Sequence, residues 1–486
     1  MDLDQPAIVW FRRDLRLHDH PALTAAAAGG REVVPLFVVD PRLVHGRFAS
    51  PNRTWFLLET LRSLATDLAA TGAPLVVRVG DPRAVVPTMA AEAGASDVFV
   101  SRDHAPYGRA RDRAVAEVLE PAGVGFHAKR GVLVHEPDEL ATADGRPFSV
   151  YSPYRRAWEA RPRRAMLPAP NGLRGHRLEP GTIPSLADLG LGEPTVADHA
   201  LGERAAADPA AMPAPLPGEA AARARLAGWL AAGIDAYAAN RDRPDLVGGT
   251  SRLSADLHVG SLSALEVVER AIGDGDGRRV FLNELVWREF YAHVLFHRPE
   301  VRHRSFRIEF ESIAWSSDAV AIEAWRTGRT GYPFVDAAMR QLATTGWMHN
   351  RARMVVASFL TKDLLADWRL GEAHFMRHLI DGDVASNNGG WQWSASTGTD
   401  PQPYFRIFNP VSQGRRFDPD GAYVRRWVPE LARVPAERIH QPWAMTADEQ
   451  AASGCRIGRD YPAPIVDHAE ARLRALAAYE AARRTS

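Results

Sequence analysis

Two hydrophobic periods share this chain of 486 residues, and one gives way to the other along its length. From Ala7 to about residue 130, short β-branched runs alternate with Ala-rich stretches of helical spacing; after Gly218 only helical spacing remains. Ala7 to Phe11 and Val33 to Val39 are apolar on successive residues, and Leu75 to Val79 and Asp97 to Val100 are so apart from Arg78 and Asp97, as strands covered on both faces read. Between them, Thr54 to Ala70 sets Phe56, Leu57, Leu61, Leu64 and Leu68 at helical intervals. Strand alternating with helix predicts a parallel α/β sheet over residues 1–130. The first strand is followed by Arg12-Arg13-Asp14-Leu15-Arg16 instead of GxGxxG, so an ordinary dinucleotide site is not expected there.

Residues 131–217 lose this periodicity and include four prolines between Pro209 and Pro217, which predicts a connector with a few short helices. Residues 218–486 predict an all-helical domain, with helices over Ala220–Ala239, Ser261–Ile272, Val280–Leu295, Val320–Thr327, Val335–Thr345, Arg351–Leu365 and Ala373–Ile380. Ten of the 13 tryptophans lie in this part.

Composition removes several function classes. With 59 Lys+Arg against 59 Asp+Glu, bulk positive charge cannot drive polyanion binding. One cysteine, Cys455, allows no internal disulfide or thiolate metal cluster and fits a reducing compartment. The polar start from Met1 to Pro6 does not read as a signal peptide, and no apolar run approaches the ~18 residues of a membrane span. A cytoplasmic protein is expected. Only Lys129 and Lys362 are lysines, so the cationic chemistry is almost wholly that of arginine.

Three segments could carry chemistry. Gly248-Gly249-Thr250-Ser251-Arg252-Leu253-Ser254 opens a helix and reads either as an anion cradle or as an ordinary Ser/Thr cap. Glu284, Trp287, Arg288 and Tyr291 follow i, i+3, i+4, i+7 spacing, which suits either a core stripe or a wall beside a heteroaromatic ring. Asp381 through Trp393 packs two carboxylates, three amides, three glycines and two tryptophans into thirteen residues, a composition suited to facing a ligand. Trp391 and Trp393, two apart, would point to different partners on a helix. His374 and His378 have metal-compatible spacing but lack further ligands nearby, so no metal is expected. There is neither a GxSxG elbow nor a P-loop.

Together, Ile8 to Arg16, Gly249 to Ser254, Trp347 to Met354 and Asp381 to Pro410 resemble the photolyase/cryptochrome family, most of all class I cyclobutane pyrimidine dimer photolyases. The likeness spans nearly the whole chain. It implies an N-terminal Rossmann-like parallel α/β antenna domain, joined by a long connector to a helical FAD-binding domain. Tyr237, Thr250, Ser251, Leu253 and Ser254 match positions that hold the flavin's phosphates and ribityl chain. Asn350, Arg353, Asp381 and Asp383 match positions around the isoalloxazine, with Arg353 and Asp383 as a supporting ion pair. Asn387 matches the residue facing N5.

The same resemblance implies UV-damaged DNA as partner and a flipped dimer as substrate. Trp287 and Trp393 would sandwich the dimer, Met354 would touch it and Glu284 would bond its polar edge. Trp391, Trp368 and Trp315 match a relay that photoreduces the flavin. Arg241, Arg288 and Arg351 would face DNA, alongside Arg406 and Arg415; between Arg278 and Arg426 stand 20 Lys+Arg and 16 Asp+Glu, a local excess on a neutral chain. Around Asp103 to Arg109 the likeness is to photolyases carrying 8-hydroxy-5-deazaflavin, ahead of methenyltetrahydrofolate, with Arg53 and Asp103 as contacts. A monomer without an obligate protein partner is implied. The rival readings are a cryptochrome-type blue-light signalling flavoprotein, a (6-4) photoproduct photolyase, which would want histidine where Met354 stands, and a flavoprotein that only binds DNA.

Overall fold

The structure, a computed structural model, describes residues 4–196 and 214–484. Part of the proline-rich run beginning at Pro209 and the first residues of the chain fall outside the described residues. Strands β1 (Ala7–Phe11), β2 (Glu32–Val39), β3 (Val76–Val79), β4 (Asp97–Ser101) and β5 (Gly125–Lys129) form a parallel sheet in the order β3-β2-β1-β4-β5. A two-residue strand β6 (Arg174–Gly175) joins beside β2. The order turns back at β1, which places a crevice at that strand's carboxyl end. β1 and β4 are buried along their whole length, and hence Ala7 to Phe11 and Val98 to Val100 read as unbroken apolar runs. β5 escapes that criterion because it is a half-exposed edge carrying Gly125, His127 and Lys129.

Helices α1 (Pro21–Ala26), α2 (Pro51–Thr71), α3 (Pro82–Ala93) and α4 (Pro106–Leu119) link the strands. α2 and α3 begin with a side-chain cap, Ser50 and Asp81, followed at once by proline, which needs no N–H partner in a first turn. The connector is more than a tether: α5 (Tyr151–Ala160) buries Tyr151, Tyr154 and Trp158 against the helical half.

That half contains α6 (Glu219–Ala232), α7 (Ser254–Val259), α8 (Asp276–His297), α9 (Asn350–Ser358), α10 (Trp368–His378), α11 (Val384–Ala395) and α12 (His468–Arg484), among other short helices. The single helix expected over Ala220–Ala239 is interrupted after Ala232 by Gly233, with a separate turn at Tyr237–Asn240. The one expected over Arg351–Leu365 passes from α9 into a π-helical turn at Phe359–Asp363.

The two halves are knitted by the loop after β1. The Arg16 guanidinium, 1% exposed, donates to the carbonyls of His18 at 3.0 Å, Asp19 at 2.9 Å, Gly131 at 2.7 Å and Gly260 at 3.0 Å. Glu219, at the start of α6, accepts the Leu17 and His18 N–H groups at 2.6 and 3.0 Å. Gly260, with φ +79°, passes so close that a Cβ there would lie 2.0 Å from the Arg13 carbonyl oxygen. Arg16→Met would leave buried carbonyls unpartnered and is expected to destabilise the protein by about 3 kcal/mol or more in urea unfolding. A change under ~0.5 kcal/mol would show that the junction is held by other contacts.

Candidate functional site

A cavity of about 470 Å³ opens in the helical half, walled by α7, α8, α9, α11 and the turn before α11. Glu284, Trp287, Arg288 and Tyr291 line it as one stripe of α8, and Asn350, Arg353 and Met354 as one face of α9. Tyr237, Arg241, Ser251, Leu253, Ser254, Asp381, Asp383, Asn387, Trp391 and Trp393 complete the set of expected residues found here. Thr250, Arg351, Trp315, Trp368, Arg53 and Asp103 lie outside its lining. Arg13, His258, Phe375 and Ser386 belong to the wall and were not expected from sequence. The run from Asp381 into α11 signalled Ser386, and the motif from Ile8 to Arg16 contained Arg13 without pointing to this cavity, which Arg13 reaches from the α/β half.

The backbone explains the convergence. α7 begins at Leu253 with no side-chain cap, so the hydroxyls of Ser251 and Ser254 are not spent on that task and face the cavity. Asp383 caps α11 by accepting the Ser386 N–H at 2.9 Å. Trp391 and Trp393 leave α11 in different directions: Trp391 is 2% exposed with its ring edge-on to Phe375 and Trp325, at 5.0 and 6.0 Å, while Trp393 is half-buried. A Cβ at Gly371 would lie 2.0 Å from the Trp391 ring, so α10 needs glycine where the two helices touch.

One expected pairing is replaced. Arg353 donates to Asp381, not Asp383, at 2.8 Å, and also to the Met348 carbonyl at 2.8 Å. Asp381 faces α9, whereas Asp383, two residues on, is turned to the start of α11 and meets Arg13 at 2.7 Å. Burial alone would raise the Asp383 carboxyl; Arg13 and the Ser386 N–H reverse that and hold it well below its ordinary value. The second oxygen of Asp381, Oδ1, is buried without a hydrogen-bond partner. It is an acceptor left open at the cavity, as a flavin's ring N–H requires, so the residues present fit FAD.

On α8, burial pushes the Glu284 carboxyl up, opposed by Arg241 at 2.7 Å. The Asn387 amide nitrogen donates to the Glu372 carbonyl at 3.0 Å. That bond engages one amide N–H and fixes which end is nitrogen, leaving the amide oxygen and the second N–H for a ligand. Arg351 is forked onto Asp242 at 2.8 and 3.2 Å, and Arg288 turns inward to the Leu257 carbonyl at 3.1 Å, while Arg406 and Arg415 are exposed.

Trp368, fully buried, shares one apolar cluster with Trp391, and Trp315 packs at its margin, half-buried. Asp103 borders a separate cavity of about 30 Å³ between the halves, and Arg53 donates to the carbonyls of Met376, Leu379 and Phe48. The His374 and His378 rings lie 4.4 Å apart, and among the described residues no group of three or more His, Cys, Asp or Glu is placed to hold a metal ion.

Comparison with known proteins gives concordant matches in both halves. A family model described as DNA photolyase matches residues 7–171, and one described as the FAD binding domain of DNA photolyase matches residues 281–481. The deoxyribodipyrimidine photo-lyase of Escherichia coli K12 is 41% identical over 489 residues, covering 98% of this chain and 99% of the relative. The crystal structure of a bacterial class III photolyase from Agrobacterium tumefaciens superposes with a TM-score of 0.91 at 38% identity, covering 100% of this chain and 99% of that one. A cryptochrome from Synechocystis sp. PCC6803 superposes with a TM-score of 0.87 at 30% identity, covering 98% and 99% of the two chains.

The Arg13–Asp383 pair has a pH signature. A carboxyl held low in the folded state adds stability above its unfolded value of ~3.9, and that contribution fades as pH falls toward the folded value. In Arg13→Met that counter-charge is gone and the carboxyl rises, so the stability it adds above the unfolded value is smaller and less remains to be lost in acid. Thermal unfolding from pH 7 to 3 should show the variant less stable than the parent at pH 7, with the gap narrowing as pH falls and the parent loses the contribution of its ionised Asp383. Parallel profiles would mean that Arg13 does not hold Asp383 in its ionised form.

Proposed function

The chain belongs to the DNA photolyase family, and from that membership we propose a deoxyribodipyrimidine photo-lyase: a light-dependent DNA repair enzyme that flips out cyclobutane pyrimidine dimers and splits them with FAD. The observation that carries this reading is the joint lining of one cavity by Asp381, Asn387, Glu284, Trp287, Met354 and Trp393. Polar groups suited to a flavin and apolar surfaces suited to a lesion stand within one space. FAD held there would supply, when reduced and lit, the electron that opens the dimer, and its return would leave no net redox change. The Synechocystis cryptochrome shows that the scaffold also occurs in a protein of another name, but the retained Glu284, Trp287, Met354 and Trp393 favour repair.

In this reading Tyr237, Thr250, Ser251, Leu253 and Ser254 hold the phosphates and ribityl chain, and Asn350, Arg353, Asp381 and Asp383 surround the ring. Asn387 would face N5, with an amide able to accept or donate there. Trp287 and Trp393 enclose the dimer, and Glu284, steadied by Arg241, bonds its polar edge. Trp391, Trp368 and Trp315 form the relay. The buried indole N–H groups of Trp391 and Trp368 have no hydrogen-bond partner, so a ring oxidised there has no neighbour to take its proton and passes the charge on. Trp315, half-buried, can lose it outward.

Residues 1–130 would be the antenna domain, 131–217 the connector and 218–486 the catalytic domain, in a cytoplasmic monomer that meets DNA without an obligate protein partner. No helix among the described residues is long and apolar enough to cross a membrane. For a second chromophore the sequence favours 8-hydroxy-5-deazaflavin over methenyltetrahydrofolate. The arrangement found at Arg53 and Asp103 does not fit a three-ring group, because the cavity beside Asp103 is about 30 Å³ and Arg53 is spent on backbone carbonyls. No step depends on it.

Reduced protein lit with near-UV or blue light should restore oligothymidylate containing dimers, with no loss of dimer in the dark. Repair in neither condition, or loss confined to the dark, would overturn the assignment. Trp315→Phe should slow photoreduction of the bound flavin by about tenfold or more while leaving repair by chemically prereduced enzyme intact. If prereduced enzyme lost repair as well, Trp315 would not be acting as a relay.

A further inference from the structure

Trp287 lines the cavity, and one face of its indole is already covered. Against that face lies Tyr151, first residue of α5, with ring centroids 3.7 Å apart and planes 3° from parallel. Tyr151 does not itself line the cavity. Two aromatic rings left to themselves prefer an offset or edge-on arrangement, because their quadrupoles repel face to face. So close a stack needs external support.

That support comes from three parts of the chain. The Tyr151 hydroxyl donates to the Asn283 carbonyl on α8 at 2.9 Å. Its backbone N–H donates to Asp400 Oδ2, beyond α11, at 3.0 Å, where the carboxylate also meets the positive end of α5. Thr399 reinforces the tie by donating its hydroxyl to the Ser149 carbonyl at 2.6 Å. Phe290 packs edge-on against both stacked rings, at 5.8 and 5.6 Å. The connector, α8 and the loop after α11 therefore meet around a single tyrosine.

We infer that Tyr151 is a positioning residue for lesion recognition: it fixes the plane of Trp287, so that the indole offers one rigid face to the flipped dimer. The inference rests on Trp287 being a wall of the dimer pocket. An unsupported indole could swing about its side-chain torsions, and binding would have to freeze that motion. Supported from behind, it meets the lesion already oriented. Through Asp400 and Thr399, the same tyrosine joins that plane to the segment leading from α11 toward the exposed Arg406.

The test compares affinities for dimer-containing and undamaged oligonucleotides of the same sequence. Tyr151→Ala should weaken binding of the damaged strand about tenfold, with FAD content and affinity for the undamaged strand at parent values. Tyr151→Phe keeps the stack and should restore most of the discrimination. If Tyr151→Ala fails to fold, Tyr151→Leu fills the volume without a stackable ring and takes its place. Equal weakening for both strands, or none, would overturn the inference provided that Trp287→Ala weakens damaged-strand binding. If Trp287→Ala leaves that binding unchanged, the reading of Trp287 itself fails, and the role given to Tyr151 fails with it.

Discussion

A guanidinium shut away from water is tolerable only if its N–H groups find oxygen, and Arg16 meets that demand by drawing in carbonyls from three separate segments. The loop after β1, the first residue of the connector and the turn after α7 are thereby fixed to one another. Three residues earlier in the same loop, Arg13 is brought to Asp383 and to the His258 carbonyl. Asp383 in turn caps the helix that carries Asn387, Trp391 and Trp393. The geometry of the cavity descends from a cation in the other half of the protein.

α11 needs such help. Asn387-Asn388-Gly389-Gly390 is a poor helical sequence, each glycine costing about 1 kcal/mol relative to alanine. The cap at one end, and the Asn388 and Gln392 amides bonded to Glu372 and the Val301 carbonyl, offset part of that cost. Gly390 lines the cavity, where a side chain would take up ligand space, and Gly389 lets α11 pass against Tyr291. Local propensity is given up where the surface must be polar and open, a usual mark of a working site.

Sequence periodicity revealed what burial writes into a chain. β1, β2 and β4 were legible because both faces are covered, and the stripe on α8 because it faces one way. β5 was not, being a half-exposed edge, and α11 carries no apolar stripe to reveal its length. The motif resemblance supplied most of the cavity lining but mistook the partner of Arg353. Asp381 and Asp383 are near-equivalent as letters, and only the start of α11 between them decides which way each points. The motif from Ile8 to Arg16 marked Arg13 without its role, and Tyr151 had no local signal, because their partners Asp383 and Trp287 lie far along the chain.

The interlocking at Arg13 and Arg16 also bears on how such a chain can evolve. Its two halves look like separable modules, one an α/β sheet and one a helical bundle, each matched by its own family description. Yet the bundle's cavity borrows a side chain from the first loop of the sheet, and the connector inserts an aromatic behind its wall. Neither half could be traded for an unrelated module without unmaking the other's chemistry. Recombination would have to move the whole chain at once, and divergence within it must proceed by paired changes across the seam.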